Sequence, residues 1–315
     1  MLKVGLIGVG GISGAHIPAW NEMEDASLVA LCDRNTAAME GYRDTCRLYT
    51  TLEEMLEKEE LDILDICLPT HLHIDTAIRA MERGVHVLCE KPLTLNEEDV
   101  RRVYQVAEDN GVCFMVAHVL RFWPAYERLK ELYDEGTYGH LLTGSMCRLS
   151  QSPRWSGDGW RQDERRSGLM PFDLHIHDLD FMIYAFGEPV EATHCRSRQP
   201  GQDAMTATYR YDGFYIQTEA AFYAANYPFK AAFRFQFEQA VVEWEGDRMM
   251  AYPVEGEPVV LLEPAEQRTA VINLSDILPY AREIRYFTDC VKAGVPADRI
   301  RPEELLTVLR LLKDI

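Results

Sequence analysis

Three stretches carry residue types at spacings that could do chemistry. The run Gly8-Val9-Gly10-Gly11-Ile12-Ser13 lets the backbone turn tightly and approach a pyrophosphate, whose charge then rests on the free amides of a following helix. Ser13 stands where a third glycine or alanine is usual. Asp33 follows Gly8 by 25 residues at the end of the next apolar run, where a carboxylate can accept both hydroxyls of an adenosine ribose. It should repel a 2'-phosphate, which favours NAD, although Arg34 could stack on adenine or pair with that phosphate and so admit NADP. The competing reading is a tight turn with no ligand. Pro69-Thr70-His71-Leu72-His73 also follows a strand end and could line the nicotinamide side, or be a plain strand-to-helix turn.

The second stretch is Cys89-Glu90-Lys91-Pro92. A lysine partly desolvated at a strand's carboxyl end, near a nicotinamide cation, has a lowered pKa and can exchange a proton with a substrate oxygen. A surface Lys91 paired with Glu90 is the plainer alternative, and Pro92 allows a cis bond. The third stretch runs from Asp173 through His175, His177 and Asp178 to Asp180. On a helix, Asp173 and His177 share a face one turn apart, so the carboxylate can orient the imidazole of a general base while His175 points away. Taking His175, His177 and Asp178 as metal ligands would need a strand or loop. The helical spacing of Phe172, Ile176, Leu179 and Ile183 speaks against that, and Asp180 reads as an ordinary surface acid.

These residues need a scaffold, and the alternation of short apolar runs with amphipathic ones supplies it. Strands are predicted at Lys3 to Val9, Leu28 to Cys32, Asp62 to Leu68, Val85 to Cys89 and Val112 to Ala117, joined by helices into a doubly wound parallel sheet. Thr51 with Glu54 and the acidic turn after Asn96 open helices, and Gly84 and Gly111 close two. After a helix from Pro124 to before Gly136 the pattern changes. Leu141 to Leu149, Ala204 to Tyr211, Phe214 to Phe222, Ala231 to Phe237 and Gln239 to Trp244 read as strands of an open, mostly antiparallel sheet. One helix near Phe172 to Phe186 interrupts it and two more close the chain. The expected architecture is an α/β Rossmann domain over 1–120 followed by an α+β domain over 121–315, whose C-terminal helices can pack back on the first. The chain ends at Ile315 inside a helical pattern without a capping signal, as a sequence with a natural continuation would.

Taken in this order, the motifs resemble the Gfo/Idh/MocA family of NAD(P)-dependent sugar and polyol oxidoreductases. The resemblance runs from the glycine fingerprint through Pro69 to His73, Glu90-Lys91-Pro92 and Arg121-Phe122-x-Pro124 to the segment from Gly168 through Asp173 to His177. It implies a nucleotide-binding set of Gly8, Gly10, Gly11, Ile12, Ser13, Asp33, Arg34, Pro69, Thr70, His73, Glu90 and Lys91. It also implies a catalytic set of Lys91, Asp173 and His177, in which His177 takes the carbinol proton, Lys91 polarises that oxygen and Asp173 orients substrate or imidazole. Substrate contacts are expected from Lys91, Arg121, Trp160, Arg161, Asp173 and His177, and a homodimer or homotetramer through the open sheet. Leu169-Met170-Pro171 and His175 depart from the family pattern, which bears on substrate identity more than on reaction class. The stretch Ser152 to Ser167, with Arg154, Trp155, Trp160, Arg161, Arg165 and Arg166, suits a sugar ring or an acidic group, or else a lid or subunit contact.

Composition narrows the partners. With 32 basic and 51 acidic residues the net charge is -19, which repels nucleic acid and anionic lipid surfaces. Val4 to Asn21 carries no Lys, Arg, Asp or Glu, but its glycines make it a strand and turn, not a membrane span. Eight cysteines without a short-spaced pair read as reduced thiols of a cytoplasmic protein. The leading expectation is a dehydrogenase acting on a secondary hydroxyl of a small sugar or polyol. The alternatives are a non-catalytic NAD(H)-binding regulator on the same fold, and an enzyme that keeps its cofactor bound and shuttles hydride between two substrates.

Overall fold

A computed structural model describes residues 1–153, 159–246, 248–263 and 278–315. The chain divides into two compact units, 1–119 with 269–306 and 120–268 with 307–315.

The first unit is built on six parallel strands, β1 (Leu2–Ile7), β2 (Ala26–Cys32), β3 (Arg47–Tyr49), β4 (Ile63–Ile66), β5 (His86–Glu90) and β6 (Phe114–Ala117), in the order β3-β2-β1-β4-β5-β6. Helices α1 (Ser13–Asn21), α2 (Thr36–Met39), α3 (Leu52–Lys58), α4 (His73–Met81) and α5 (Glu97–Asp109) make the connections. Every residue of β4 and β6 is buried, which explains why these strands read as continuous apolar runs without alternation. Caps act as the side chains dictate: Thr51 Oγ1 accepts the Glu54 amide at 3.3 Å, and Asn96 Oδ1 accepts that of Glu98 at 3.3 Å. Strand order reverses beside β1, leaving its carboxyl end and that of β4 as the crevice where such sheets take ligands.

In the second unit α6 (Pro124–Asp134) leads into β7 (Leu141–Gln151). The short helix α7 (Glu164–Ser167) and α8 (Ile176–Phe186) precede β8 (Glu191–Gln199), β9 (Gln202–Arg210), β10 (Tyr215–Tyr223), β11 (Lys230–Phe237), β12 (Ala240–Glu245), β13 (Arg248–Pro253) and β14 (Val259–Leu262). The eight strands order as β14-β13-β12-β11-β7-β10-β9-β8, antiparallel except where β10 runs parallel to β7. Alternate residues of β9 to β13 are buried, so one face forms the core and the other stays open. The chain closes with α9 (Leu278–Ala293) and α10 (Pro302–Lys313). α9 packs on α1 within the first unit. There Arg285 donates to Asp25 at 2.6 Å and Lys292 pairs with the same carboxylate.

The core of the second unit encloses charge. Arg148 of β7 grips Asp178 of α8 through two bonds, 3.1 and 2.7 Å, and donates to the Tyr126 hydroxyl at 2.9 Å. The Tyr126 ring lies edge-on to Phe181, Phe233 and Trp244 with centroids 4.8 to 5.5 Å apart. Asp180, expected on the surface, is buried and holds Arg121 at 2.9 and 2.6 Å. A buried carboxylate left without its partner costs far more than an exposed one. Asp178→Asn should therefore lower the unfolding free energy by about 3–5 kcal/mol in urea titrations, against under about 1 kcal/mol for exposed Glu191→Gln, which loses only its surface bond to Arg210.

The two cations of α9 hold the Asp25 carboxyl down at about 2. A depressed folded pKa stabilises above the unfolded value and is lost as pH falls through the folded one. The thermal-stability gap between the natural protein and Asp25→Asn should thus be constant near neutrality, shrink below about pH 4, and close near pH 2.

Candidate active site

The glycine turn takes a shape only glycine serves. Gly8 has φ +96°, and a Cβ there would lie 2.6 Å from the Cys67 carbonyl oxygen, so β1 and the end of β4 approach too closely for any side chain. Gly10 and Gly11 are exposed. Ser13, in place of a third glycine, donates its hydroxyl to the Gly10 carbonyl at 2.7 Å and closes the turn. No side chain caps the start of α1, where the Gly14 and Ala15 amides turn back to the Gly11 and Ile12 carbonyls at 3.2 and 2.9 Å. Asp33 Oδ2 accepts the Val9 amide and Oδ1 that of Asn35, both at 2.7 Å. Each oxygen keeps a second lone pair, and the half-exposed carboxylate is braced against the glycine turn with exposed Arg34 beside it. These residues fit a dinucleotide: a glycine turn that a pyrophosphate can approach closely, ahead of a helix N-terminus, and a braced acceptor pair for a ribose.

Other expected nucleotide contacts have different duties. His73 is buried, with Nδ1 2.9 Å from the Pro92 carbonyl and Nε2 2.6 Å from that of Leu68. Burial lowers its pKa, and the ring ties the segments that follow β4 and β5 together and is not offered to a ligand. Thr70 is buried too, in the short turn Thr70–Leu72 between Pro69 and α4. Glu90 is buried, accepting from His16 and from the Lys91 amide, so it supports the strand end instead of facing a ligand. Lys91 stands directly after β5, half-buried, in a cis peptide bond to Pro92.

Sequence spacing places Asp173 and His177 on a regular helix, but Pro171–His175 form a π-helical turn and α8 begins only at Ile176. A widened turn of this kind often accompanies a functional site. Between 171 and 183 Asp173 and His177 are the two residues that are not buried. Asp173 pairs with Arg161, whose guanidinium sits 4.9 Å from the Trp160 ring centroid. The pair borders a cavity of about 540 Å³ whose wall includes Gln162, Arg198, Gln202 and Phe222. His175 is buried on the Tyr209 hydroxyl at 2.7 Å, its pKa pushed down to about 4 by burial. With Asp178 committed to Arg148 and His175 to Tyr209, two of the three candidate metal ligands serve separate partners. Arg121, expected to touch substrate, is instead wholly buried against Asp180 with its guanidinium 4.7 Å from the Tyr184 ring centroid. Arg154 and Trp155 lie outside the described residues.

Sequence reasoning missed His16. Its Nδ1 lies 2.8 Å from Asp65 and its Nε2 3.0 Å from Glu90, all three buried. The available signal was Asp65, a lone acid inside an apolar strand. Replacing Gly8 by alanine should cost about 1–3 kcal/mol of stability and weaken dinucleotide binding at least about tenfold by fluorescence titration. Gly10→Ala, whose added methyl meets nothing within 4 Å, should leave the melting temperature unchanged.

Comparison with known proteins agrees with this arrangement. Residues 2–118 match the oxidoreductase family with an NAD-binding Rossmann fold, and 126–287 match the GFO/IDH/MocA C-terminal domain. The D-xylose 1-dehydrogenase (NADP(+)) 2 of Haloferax volcanii is 28% identical over 324 residues, covering 100% of this chain and 96% of that protein. The 2,7-anhydro-N-acetylneuraminate hydratase of Mediterraneibacter gnavus is 30% identical over 196 residues, 61% of this chain and 52% of that one. The chain spans about half the length of several curated relatives it matches. Among solved structures, a levoglucosan dehydrogenase in complex with NADH and levoglucosan superposes with a TM-score of 0.84 at 20% identity, covering 100% and 96% of the two chains. An oxidoreductase from Agrobacterium radiobacter in complex with NAD+, L-tartaric acid and magnesium does so at 0.84 and 21%, covering 99% and 94%. At such identities the likeness is one of fold. Among the described residues no helix is long and apolar enough to cross a membrane. With a glycine turn braced by Asp33 opening the parallel sheet, the match of both halves of the chain to the paired domain models places this protein in the GFO/IDH/MocA oxidoreductase family.

Proposed function

We propose that the protein is an NAD(P)-dependent dehydrogenase that oxidises a secondary hydroxyl of a neutral sugar or polyol, with Lys91, Asp173 and His177 as its catalytic set. The observation that carries this reading is the pair Asp173 and His177, left accessible on a stretch otherwise buried from 171 to 183. Gly8, Gly10, Gly11, Ile12, Ser13 and Asp33 hold the dinucleotide, and the charge of Asp33 beside the ribose favours NAD over NADP. When bound, the nicotinamide supplies the hydride acceptor.

The chain's own residues handle the proton and the orientation. His177 Nδ1 is buried, so Nε2 is the nitrogen offered to a substrate hydroxyl and takes its proton as the carbinol carbon loses hydride. Lys91 donates to the same oxygen and steadies the developing carbonyl. Asp173, braced by Arg161, accepts a neighbouring hydroxyl. The cavity beside it supports a neutral ligand. Arg161 faces Asp173, Arg198 faces Glu164, and Asp203 is paired with Arg196, so the wall offers donors and acceptors without net charge. Phe222 supplies an apolar patch of the kind that suits a sugar ring.

The test follows nicotinamide absorbance with NAD or NADP and a panel of sugars, inositols and sugar acids. One neutral substrate should support reduction, and Lys91→Met and His177→Gln should each lower kcat by about 10²–10⁴. Tight NADH binding without turnover of any compound would instead favour the non-catalytic regulator, and turnover restricted to sugar acids would overturn the neutral substrate class.

A further inference from the structure

A buried group with two acidic partners and no part in the reaction above is the His16 imidazole. It lies on the first turn of α1, directly after the glycine turn, between two carboxylates. Nδ1 is 2.8 Å from Asp65 Oδ2 of β4 and Nε2 is 3.0 Å from Glu90 Oε1 of β5. Asp65 Oδ2 also accepts the Trp20 indole N–H at 2.7 Å, one helical turn beyond His16. The other Glu90 oxygen accepts the Lys91 main-chain amide at 3.0 Å. A continuous path of bonds therefore runs from α1 through His16 and Glu90 to the backbone of Lys91.

Resting on the reading of Lys91 as catalytic, we propose that His16 is a positioning residue for it: one imidazole clamps Asp65 and Glu90 and so fixes the turn that carries Lys91 relative to the helix that follows the glycine turn. The geometry requires a charged ring, because a neutral imidazole would turn a lone pair toward one of the carboxylates. Burial opposes that charge, but the Asp65 carboxylate at 2.8 Å outweighs it and holds the His16 pKa well above its ordinary value. Burial likewise raises Glu90, and the bond to His16, with the charges of His16, Lys91 and His73, brings it below the usual carboxylate range. The groups facing the ring are Asp65 from β4, Cys67 directly after it, Glu90 from β5, and the Tyr280 ring from α9 with its centroid 5.7 Å away. His16, Trp20, Asp65, Cys67, Glu90 and Tyr280 are all buried, so the bonds of this cluster act by holding the elements that end in it. A structural bond contributes stability alone, whereas a positioning bond also sets the protonation and placement of the lysine it holds.

The experiment compares His16→Gln, Glu90→Gln and Trp20→Phe in the full protein at saturating cofactor. Trp20→Phe removes a bond to Asp65 that does not reach Glu90, and should lower the melting temperature while leaving kcat and its pH profile as they were. His16→Gln should lower kcat about 10²-fold, shift the pH at half-maximal kcat, and leave substrate KM and the NADH dissociation constant within about threefold. Glu90→Gln repeats the test if His16→Gln does not fold. Nitrogen NMR of the unliganded protein should show a doubly protonated His16 ring at pH 8, and a neutral ring there would overturn the clamp directly. A His16→Gln protein with the natural kcat and pH profile, beside an inactive Lys91→Met, would sink this inference alone. A fully active Lys91→Met would sink the catalytic reading on which it rests.

Discussion

Charge enclosed within the apolar parallel sheet is the constraint to which the first unit conforms. Val4 to Ile7, all of β4 and most of β5 are buried, so Asp65 and Glu90 have no water to turn to. Each carboxylate must meet a donor, and one imidazole meets both. Donors and acceptors of fixed length leave α1 one seating on the strands. That seating places the glycine turn against Cys67 at a distance only glycine tolerates, and puts Asp33 in reach of the Val9 amide. The anion cradle and the strand end bearing Lys91 are thus consequences of how buried charge is neutralised, not separate features.

The second unit solves the same problem with arginine. α8 carries Asp178 and Asp180 two residues apart, one gripped by Arg148 of β7 and the other by Arg121. Two bidentate pairs of this kind hold a helix firmly, because a planar guanidinium fixes the direction as well as the distance of its partner. The π-helical turn over Pro171–His175 lies immediately upstream, and Asp173 of that turn and His177 at the start of α8 stay accessible while their neighbours are buried. The acids of this segment therefore divide by burial: Asp178 and Asp180 anchor, and Asp173 stays accessible.

Much of this was readable from residue types and period. Continuous apolar runs and helix caps gave the parallel sheet and its connections, and the strand-rich second half gave a mostly antiparallel one. The strands that escaped were β3, β8, β13 and β14. β3 has three residues and β8 is exposed along nearly all its length, so neither carries the alternation by which a half-buried strand is recognised.

For the site, sequence alone determined the glycine turn, the Glu90-Lys91-Pro92 corner and the Asp173 and His177 spacing, because each depends on residues close in the chain. Tertiary structure decided which charged residues are structural. Arg121, His73, Asp178 and Asp180 look in sequence like solvent-facing or ligand-facing groups, and His16 gives no sign of its duty. Their partners lie between 5 and 74 residues away, and whether a titratable group meets a ligand or a buried counter-charge depends on what the folded chain brings beside it.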